Sequence, residues 1–235
     1  MASVIPVPDI PILYAEGRGR VTVLVAGLDA DGAAAPVPAC PGWSVHDVVA
    51  HLSGVCADIL AGNIAGVATD PWTAAQVDAR RGRPLADVVA EWSELAPQVE
   101  AFAGNFPGRT GEQWVTDLTT HEHDIRGALG RPGERDSEAV AIGLDFLVGE
   151  LLAPSLAARG LGPLLVRVDG RSWVAGEERE PVGELEAPAF DLFRALTGRR
   201  SRAQVSGFGW SVDPEPYLDA FTSGPFTVAP ADLVE

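Results

Sequence analysis

The first half of the chain is dominated by apolar residues at helical spacing, and this periodicity constrains the fold more than any other sequence feature. An amphipathic helix buries an apolar residue every three or four positions along one face. Turn residues divide the first half into about four long segments with this pattern, which we predict to be helices that pack together. The predicted long helices span residues 8–28, 44–62, 84–105 and 110–129, and a shorter one spans 72–79.

Boundary signals support three of these helices. Ser44 can cap a helix N-terminus, and Asp47 occupies the acidic place of a capping box three residues later. Pro84 is suited to a first turn, and Gly130 is a typical stop after the last apolar residue of the fourth helix. The sequence therefore predicts a helical bundle in the first half.

The pattern changes after Asp136. A helix at 137–159 is followed by an alternating segment at 164–169, which predicts a half-buried strand, and Asp169-Gly170 then favours a hairpin turn. Further helices are predicted at 188–197 and 214–221. We therefore expect an α+β protein of two domains, residues 1–135 and 136–235.

Charge and hydrophobicity limit which partners and which cellular location we expect for the protein. A net charge of -16 and a pI near 4.5 argue against nucleic acid, whose phosphates require clustered basic residues. Apolar runs such as residues 21–28 are shorter than the roughly 20 residues of a membrane span. The first residues lack the pattern of a secretory signal, so we expect a cytoplasmic protein in which Cys40 and Cys56 stay reduced as small buried residues.

Asp117, His121 and Asp124 are spaced by four and three residues, which places them on one face of the fourth helix. His51 occupies a similar edge of the second helix. Three ligands, His51, Asp117 and His121, would leave a tetrahedral ion with one open position, as in catalytic zinc sites. Asp124 could then orient His121 as a supporting carboxylate.

Other interpretations stay open from spacing alone. An acid and a histidine one turn apart are common on solvated helix faces, and His51 could be a buried histidine bonded to the backbone. We expect His46 and His123 on exposed faces, with His123 as a minor candidate for the site. We expect Arg199 and Arg200, just past a helix end, to be solvated or to stabilise the helix dipole. We assign Asp87, Glu91 and Glu94 to the solvent-exposed face of the third helix, and Trp43, Trp92 and Trp114 to the core or a pocket wall.

Two segments resemble signatures of the mycothiol-dependent maleylpyruvate isomerase family. Residues 39–52, ACPGWSVHDVVAHL, resemble its Pro-Gly-Trp-Ser…His-Leu signature, and residues 117–126, DLTTHEHDIR, resemble its second signature of an acid, a histidine and an aspartate. Weaker similarity is found at 78–84 and at 196–199. The resemblance implies a DinB-like four-helix bundle followed by a small α+β domain of the sterol-carrier-protein kind.

The resemblance also implies a site and a chemistry. His51, Asp117 and His121 match the family's metal-ligand positions, although the well-known isomerases have Glu at the position of Asp117, which leaves the substrate open. A zinc ion would hold the sulfur of mycothiol as a thiolate. Addition to a double bond, rotation and expulsion of the thiol give isomerisation, whereas retention of the thiol gives S-transfer. Arg199 is expected to pair with a substrate carboxylate.

Two other functions stay open. Zinc-bound water could replace the thiol in a hydrolase, or the metal could stabilise a non-catalytic ligand-binding or regulatory module. The expected partners of the enzyme are a small electrophile and a low-molecular-weight thiol, without nucleic acid or membrane. We expect a monomer or a weak homodimer.

Overall fold

The computed structural model describes residues 9–235, which form two compact units. The first unit extends to Gly133 and also includes Glu235, and the second is Glu134–Val234. Helices form the first unit, whereas the second combines helices with a small sheet. The predicted α+β class is therefore confirmed.

Four long helices and two short ones build the described part of the first unit. They are α1 Ile10–Val25, α2 Ala30–Ala33, α3 Val45–Ala61, α4 Asp70–Asp78, α5 Leu85–Ala103 and α6 Thr110–Leu129. Helices α1 and α3 each pack against both α5 and α6, and α4 packs on α3. The predicted helices are confirmed to within a few residues, except that Pro8, where the first was predicted to begin, lies outside the described residues. Helix α2 was not predicted.

A buried aromatic cluster joins the four long helices. The ring of Tyr14, from α1, stacks on Trp114, from α6, with 3.4 Å between centroids. Trp92 Nε1, from α5, donates a hydrogen bond of 3.2 Å to the Tyr14 hydroxyl, which also lies 3.4 Å from Cys56 Sγ, on α3. One cluster therefore fixes the positions of the helices that carry the candidate site.

The second unit contains a four-stranded mixed sheet. Its strands are β1 Leu164–Val168, β2 Arg171–Ala175, β3 Gly183–Glu186 and β4 Gly209–Trp210, in the order β2-β1-β3-β4. Strands β1 and β3 are parallel, and the other two pairs are antiparallel. The hairpin predicted at Asp169-Gly170 is confirmed, because both residues have the positive φ (45° and 81°) that a tight two-residue turn between twisted strands requires.

The helices of the second unit are α7 Glu138–Leu147, α8 Ala153–Ala158, α9 Ala189–Leu196, α10 Arg202–Ser206 and α11 Glu215–Leu218. A π-helical turn, Val148–Leu152, joins α7 to α8. The resulting stretch, Glu138–Ala158, is long and apolar enough to cross a membrane by length and composition. However, its Leu144, Leu147, Leu152 and Leu156 side chains are fully buried in the core of the second unit, as expected of a core helix.

Two arginines of the second unit lie just past the C-terminus of α9. Arg199 and Arg200 are only 8% and 5% exposed, so of the two expected alternatives the solvated one is wrong, and a position that stabilises the helix dipole is retained. Arg200 forms a 2.9 Å ion pair with Asp191, and Arg199 Nη1 donates to the carbonyl oxygen of Thr197 at 2.5 Å. Local carbonyl and carboxylate groups compensate for the burial of both guanidinium groups.

Candidate metal centre

A tight loop before α3 positions the first candidate ligand. Gly42 has φ of +88°, a conformation that glycine adopts without steric cost, and this allows Trp43 N to donate to Cys40 O at 2.9 Å. The chain then enters α3 at Ser44, whose side chain accepts from Asp47 N while Asp47 accepts from Ser44 N, so the predicted capping box is confirmed. This loop fixes the start of the helix that carries His51.

The structure brings the three predicted ligands together. His51 Nε2 lies 3.4 Å from Asp117 Oδ1, and His121 Nε2 lies 3.7 Å from the same oxygen. The candidate donor atoms of the three residues are all within 4.8 Å of one another. Both imidazoles are buried, whereas the Asp117 side chain is 34% exposed. The cluster is therefore open to solvent on the side of its carboxylate.

Each imidazole is fixed at its far nitrogen by a separate residue. His51 Nδ1 lies 2.8 Å from Gln76 Oε1, and His121 Nδ1 lies 2.9 Å from Asp124 Oδ2. Both oxygens can accept a hydrogen bond from Nδ1, and a neutral imidazole with its proton on Nδ1 has its Nε2 lone pair on the side of Asp117. The predicted orienting contact of Asp124 with His121 is present.

This arrangement fits a small divalent cation. Zinc–nitrogen and zinc–oxygen bonds of roughly 2.0–2.2 Å at a tetrahedral angle place neighbouring ligand atoms about 3.3 Å apart, close to the distances from the two imidazoles to Asp117. When both Nε2 atoms and the carboxylate are unprotonated, the three acceptors repel one another, and a cation between them removes that repulsion. Two imidazoles and one carboxylate form the donor set that zinc prefers when one position is left open.

Burial favours the neutral form of His121. It lowers the pKa of the imidazole below the ordinary value, although the hydrogen bond from Nδ1 to Asp124 partly opposes this. A neutral imidazole is the form that binds a metal, because its Nε2 lone pair is available. The environment of His121 therefore favours a neutral imidazole that can bind a metal over a charged imidazolium.

Tryptophans form the wall of the site. The Trp43 ring lies 5.9 Å from the ring of His121 and nearly parallel to it, and 5.5 Å from the ring of His51. Trp72, from α4, meets His51 edge-on at 6.5 Å. A depression of about 460 Å³ borders Trp43 on the side of Val37 and Asp47. The prediction that Trp43 forms part of a pocket wall agrees with these contacts.

Cys40, His121 and Asp124 form a second group of potential donors, which shares His121 with the first. Asp124 is fully buried, and its Oδ2 accepts from Cys40 Sγ at 3.1 Å as well as from His121 Nδ1. A buried carboxylate needs such donors to compensate for its lost hydration. We therefore interpret this group as a hydrogen-bonded support for His121.

Several side chains near the site were placed wrongly by the sequence analysis. His123 is buried, not exposed, and His46 is part-buried, with Nε2 2.9 Å from Arg83 O. Asp87 and Glu94 are exposed as predicted, whereas Glu91 is half-buried and forms ion pairs with Arg80 and Arg83. Sequence analysis also missed the contact of Gln76 with His51, since the amide belongs to a different helix and no spacing relates the two residues.

The two cysteines are expected to differ sharply in reactivity. Neither forms a disulfide in the described part of the chain. Burial raises the pKa of the Cys56 thiol to about 11, and the residue is fully buried, so its reactive thiolate is scarce and inaccessible. Cys40 is only part-buried. An aromatic disulfide reagent at about pH 8 should therefore label one thiol in the native protein, and Cys40→Ser should abolish this labelling.

Cys56→Ser is the matched control and should leave the native labelling rate unchanged. Both thiols should react after denaturation. Loss of the native labelling in Cys56→Ser, with retention in Cys40→Ser, would contradict the burial and the raised pKa of Cys56.

Comparison with known proteins adds two findings. The sequence profile described as the mycothiol maleylpyruvate isomerase N-terminal domain matches residues 14–132. Two solved structures, the mycothiol-dependent maleylpyruvate isomerase and a histidine-to-alanine mutant of it, are similar in fold, each with a TM-score of 0.59 at 10% sequence identity. Each alignment covers 88% of this chain and 94% of the other. No curated protein matches the chain in sequence.

Proposed function

Because this chain belongs to the mycothiol maleylpyruvate isomerase family, we propose that it is a metal-dependent enzyme that uses mycothiol to act on a small electrophile. The observation that carries the proposal is the convergence of His51 Nε2, His121 Nε2 and an Asp117 oxygen, with only the carboxylate exposed. Two imidazoles and one carboxylate with a further coordination place are typical of catalytic zinc and not of structural zinc. We propose a cytoplasmic location, where mycothiol stays reduced.

His51, Asp117 and His121 would hold the metal, with zinc as the proposed ion. When bound, zinc supplies a Lewis acid that lowers the pKa of a coordinated thiol and so provides a thiolate near neutral pH. Gln76 and Asp124 keep the two Nε2 lone pairs directed inwards. These contacts limit rotation of either imidazole, which would otherwise misplace the donors.

The aromatic rings around the site suit a planar electrophile. Trp43 covers one side of both imidazoles and limits the access of water, while the exposed edge of Asp117 leaves a path for a small molecule. A thiol that adds to an activated double bond and then leaves gives cis–trans isomerisation, and a thiol that stays gives S-transfer. The shorter side chain of Asp117, where the well-known isomerases have Glu, leaves the choice of substrate open.

Arg199, in the second unit, stays our candidate for pairing with a substrate carboxylate. Its planar guanidinium is suited to bidentate recognition of such a group. In the structure, its Nη1 donates to the Thr197 carbonyl oxygen, and its guanidinium carbon lies 5.9 Å from the centre of the Phe226 ring. We propose it as a binding residue for the substrate, without a role at the metal.

The test combines metal analysis with turnover. We expect about one zinc ion per chain after purification without chelator, and turnover of maleylpyruvate or a related cis-configured unsaturated acid only when mycothiol is present. Removal of the metal by a chelator should abolish turnover, and added zinc should restore it. Turnover of an ester or amide without thiol would support the hydrolase instead. Bound metal without turnover of any electrophile would support a non-catalytic module.

A further inference from the structure

We propose that Gln76, held in place by Asp58, is a positioning residue that fixes His51 in the tautomer with its Nε2 lone pair facing Asp117. This inference rests on the metal centre proposed above. Gln76 lies on α4, outside the helices that supply the ligands, and it contacts His51 through Nδ1, the nitrogen that faces away from Asp117. It would act on the metal only through His51.

Asp58 determines how the amide of Gln76 is turned. Gln76 Nε2 lies 2.6 Å from Asp58 Oδ2, and an ionised carboxylate only accepts hydrogen bonds, so the amide nitrogen must face Asp58. The other carboxylate oxygen accepts from Asn63 Nδ2 at 2.8 Å, and Asn63 N donates to the Asp58 carbonyl oxygen at 2.8 Å. Contacts from two residues therefore hold the carboxylate.

The amide orientation then determines the tautomer of His51. With its nitrogen towards Asp58, Gln76 presents Oε1 to His51 Nδ1 at 2.8 Å. An oxygen that only accepts requires a proton on Nδ1, and a neutral imidazole then has none on Nε2. If the amide were reversed, its N–H would favour the other tautomer, and the proton on Nε2 would block coordination.

Packing keeps the amide in this position. Gln76 is 3% exposed, and a Cβ atom on Gly54 would lie 2.4 Å from the Cβ of Gln76, so the missing side chain of Gly54 allows α4 to approach α3 this closely. Arg80 Nη1 donates to the Gln76 carbonyl oxygen at 3.1 Å, and the same guanidinium pairs with Glu91. The side chain is therefore enclosed, with both ends of its amide hydrogen-bonded.

The test reads the tautomer directly. Nitrogen chemical shifts of the His51 ring are measured by NMR in the metal-free protein at about pH 8, above the ordinary imidazole pKa of about 6.5. Wild-type protein should show a proton on Nδ1. Gln76→Met, which keeps the length of the side chain but removes the acceptor, should shift the ring towards the form with the proton on Nε2. Its zinc affinity should fall about 10- to 100-fold.

Two further variants separate positioning from folding. Asp58→Asn frees the amide of Gln76 to reverse and should give a mixture of tautomers. Gln98→Met is the matched control, because Gln98 is exposed and its Nε2 contacts only the Glu94 carbonyl oxygen within its own helix. It should leave both the tautomer and the zinc affinity unchanged.

The outcomes for the inference and for the proposed function are distinct. A wild-type tautomer and an unchanged zinc affinity in both Gln76→Met and Asp58→Asn would overturn the positioning role, even if zinc binds. Absence of zinc binding by the wild-type protein would instead overturn the metal centre. The ring nitrogens of the metal-free protein would still show whether Gln76 determines the tautomer.

Discussion

His51→Ala is expected to empty the metal centre and to reduce thiol-dependent turnover by at least about 100-fold, more than the loss typical of a residue that only supports a ligand. The substitution removes one of the two imidazoles and leaves Asp117 and His121 at the cluster. Two protein ligands do not retain zinc as three do. Zinc content is measured by elemental analysis after dialysis, and turnover by the loss of the unsaturated acid.

His46→Ala is the matched control, because His46 lies on the same helix and is outside the donor cluster. Its Nε2 contacts the Arg83 carbonyl oxygen, and its side chain is 16% exposed, so some stability should be lost but no zinc. A His51→Ala protein that stays folded, keeps one zinc per chain and turns over substrate at the wild-type rate would refute the proposed centre. Equal loss of zinc in both variants would indicate unfolding instead.

The donor cluster could be predicted because it depends on features local to each helix. Asp117, His121 and Asp124 recur at intervals of four and three, which places them on one face whatever the helix packs against. Ser44 and Asp47 similarly define the start of α3 and therefore the face on which His51 lies. Helix periodicity and capping placed each side chain on its face of a helix, and the resemblance to the family signatures then selected His51, Asp117 and His121 as one ligand set.

The contact of Gln76 with His51 could not be predicted from features local to one helix. Gln76 reaches His51 only because α4 packs on α3 at Gly54, a contact between two helices with no sequence spacing of its own. Exposure was misjudged for His123 on α6, which is buried, and Glu122 on the same helix is also polar and yet buried. Glu122 is compensated by ion pairs with Arg20 and Arg126, so polarity alone does not indicate a wet face.

Two strands of the sheet could not be predicted for the same reason, since they depend on contacts between distant parts of the sequence. Strand β1 alternates clearly and was predicted, but β3 has the sequence Gly-Glu-Leu-Glu, and of these four residues only Leu185 is fully buried. Strand β4 consists of two residues, too few to show a period of two. Both strands form by pairing with neighbours that are distant in the sequence. Their prediction requires the tertiary arrangement of the second unit.

The second large effect is expected from Trp92→Ala, which should lower the free energy of unfolding by about 3–5 kcal/mol. Trp92 is fully buried in α5 and donates to the hydroxyl of Tyr14, which in turn stacks on Trp114. The substitution leaves a cavity among three long helices and removes a hydrogen bond from a buried hydroxyl. Denaturant unfolding is measured with a chelator present, so that zinc linkage does not contribute to the stability.

Phe102→Ala is the matched control, since it removes an aromatic ring from the same helix at a position that is 40% exposed, and its loss should be clearly smaller. Trp92→Phe separates the cavity from the lost hydrogen bond, because the phenyl ring fills most of the cavity but cannot donate to Tyr14. We expect it to lower the free energy of unfolding by about 1–2 kcal/mol. A Trp92→Ala loss no larger than that of Phe102→Ala would contradict the central role of the aromatic cluster. A large loss would support the view that the aromatic cluster holds together α3 and α6, the helices that carry His51 and Asp117.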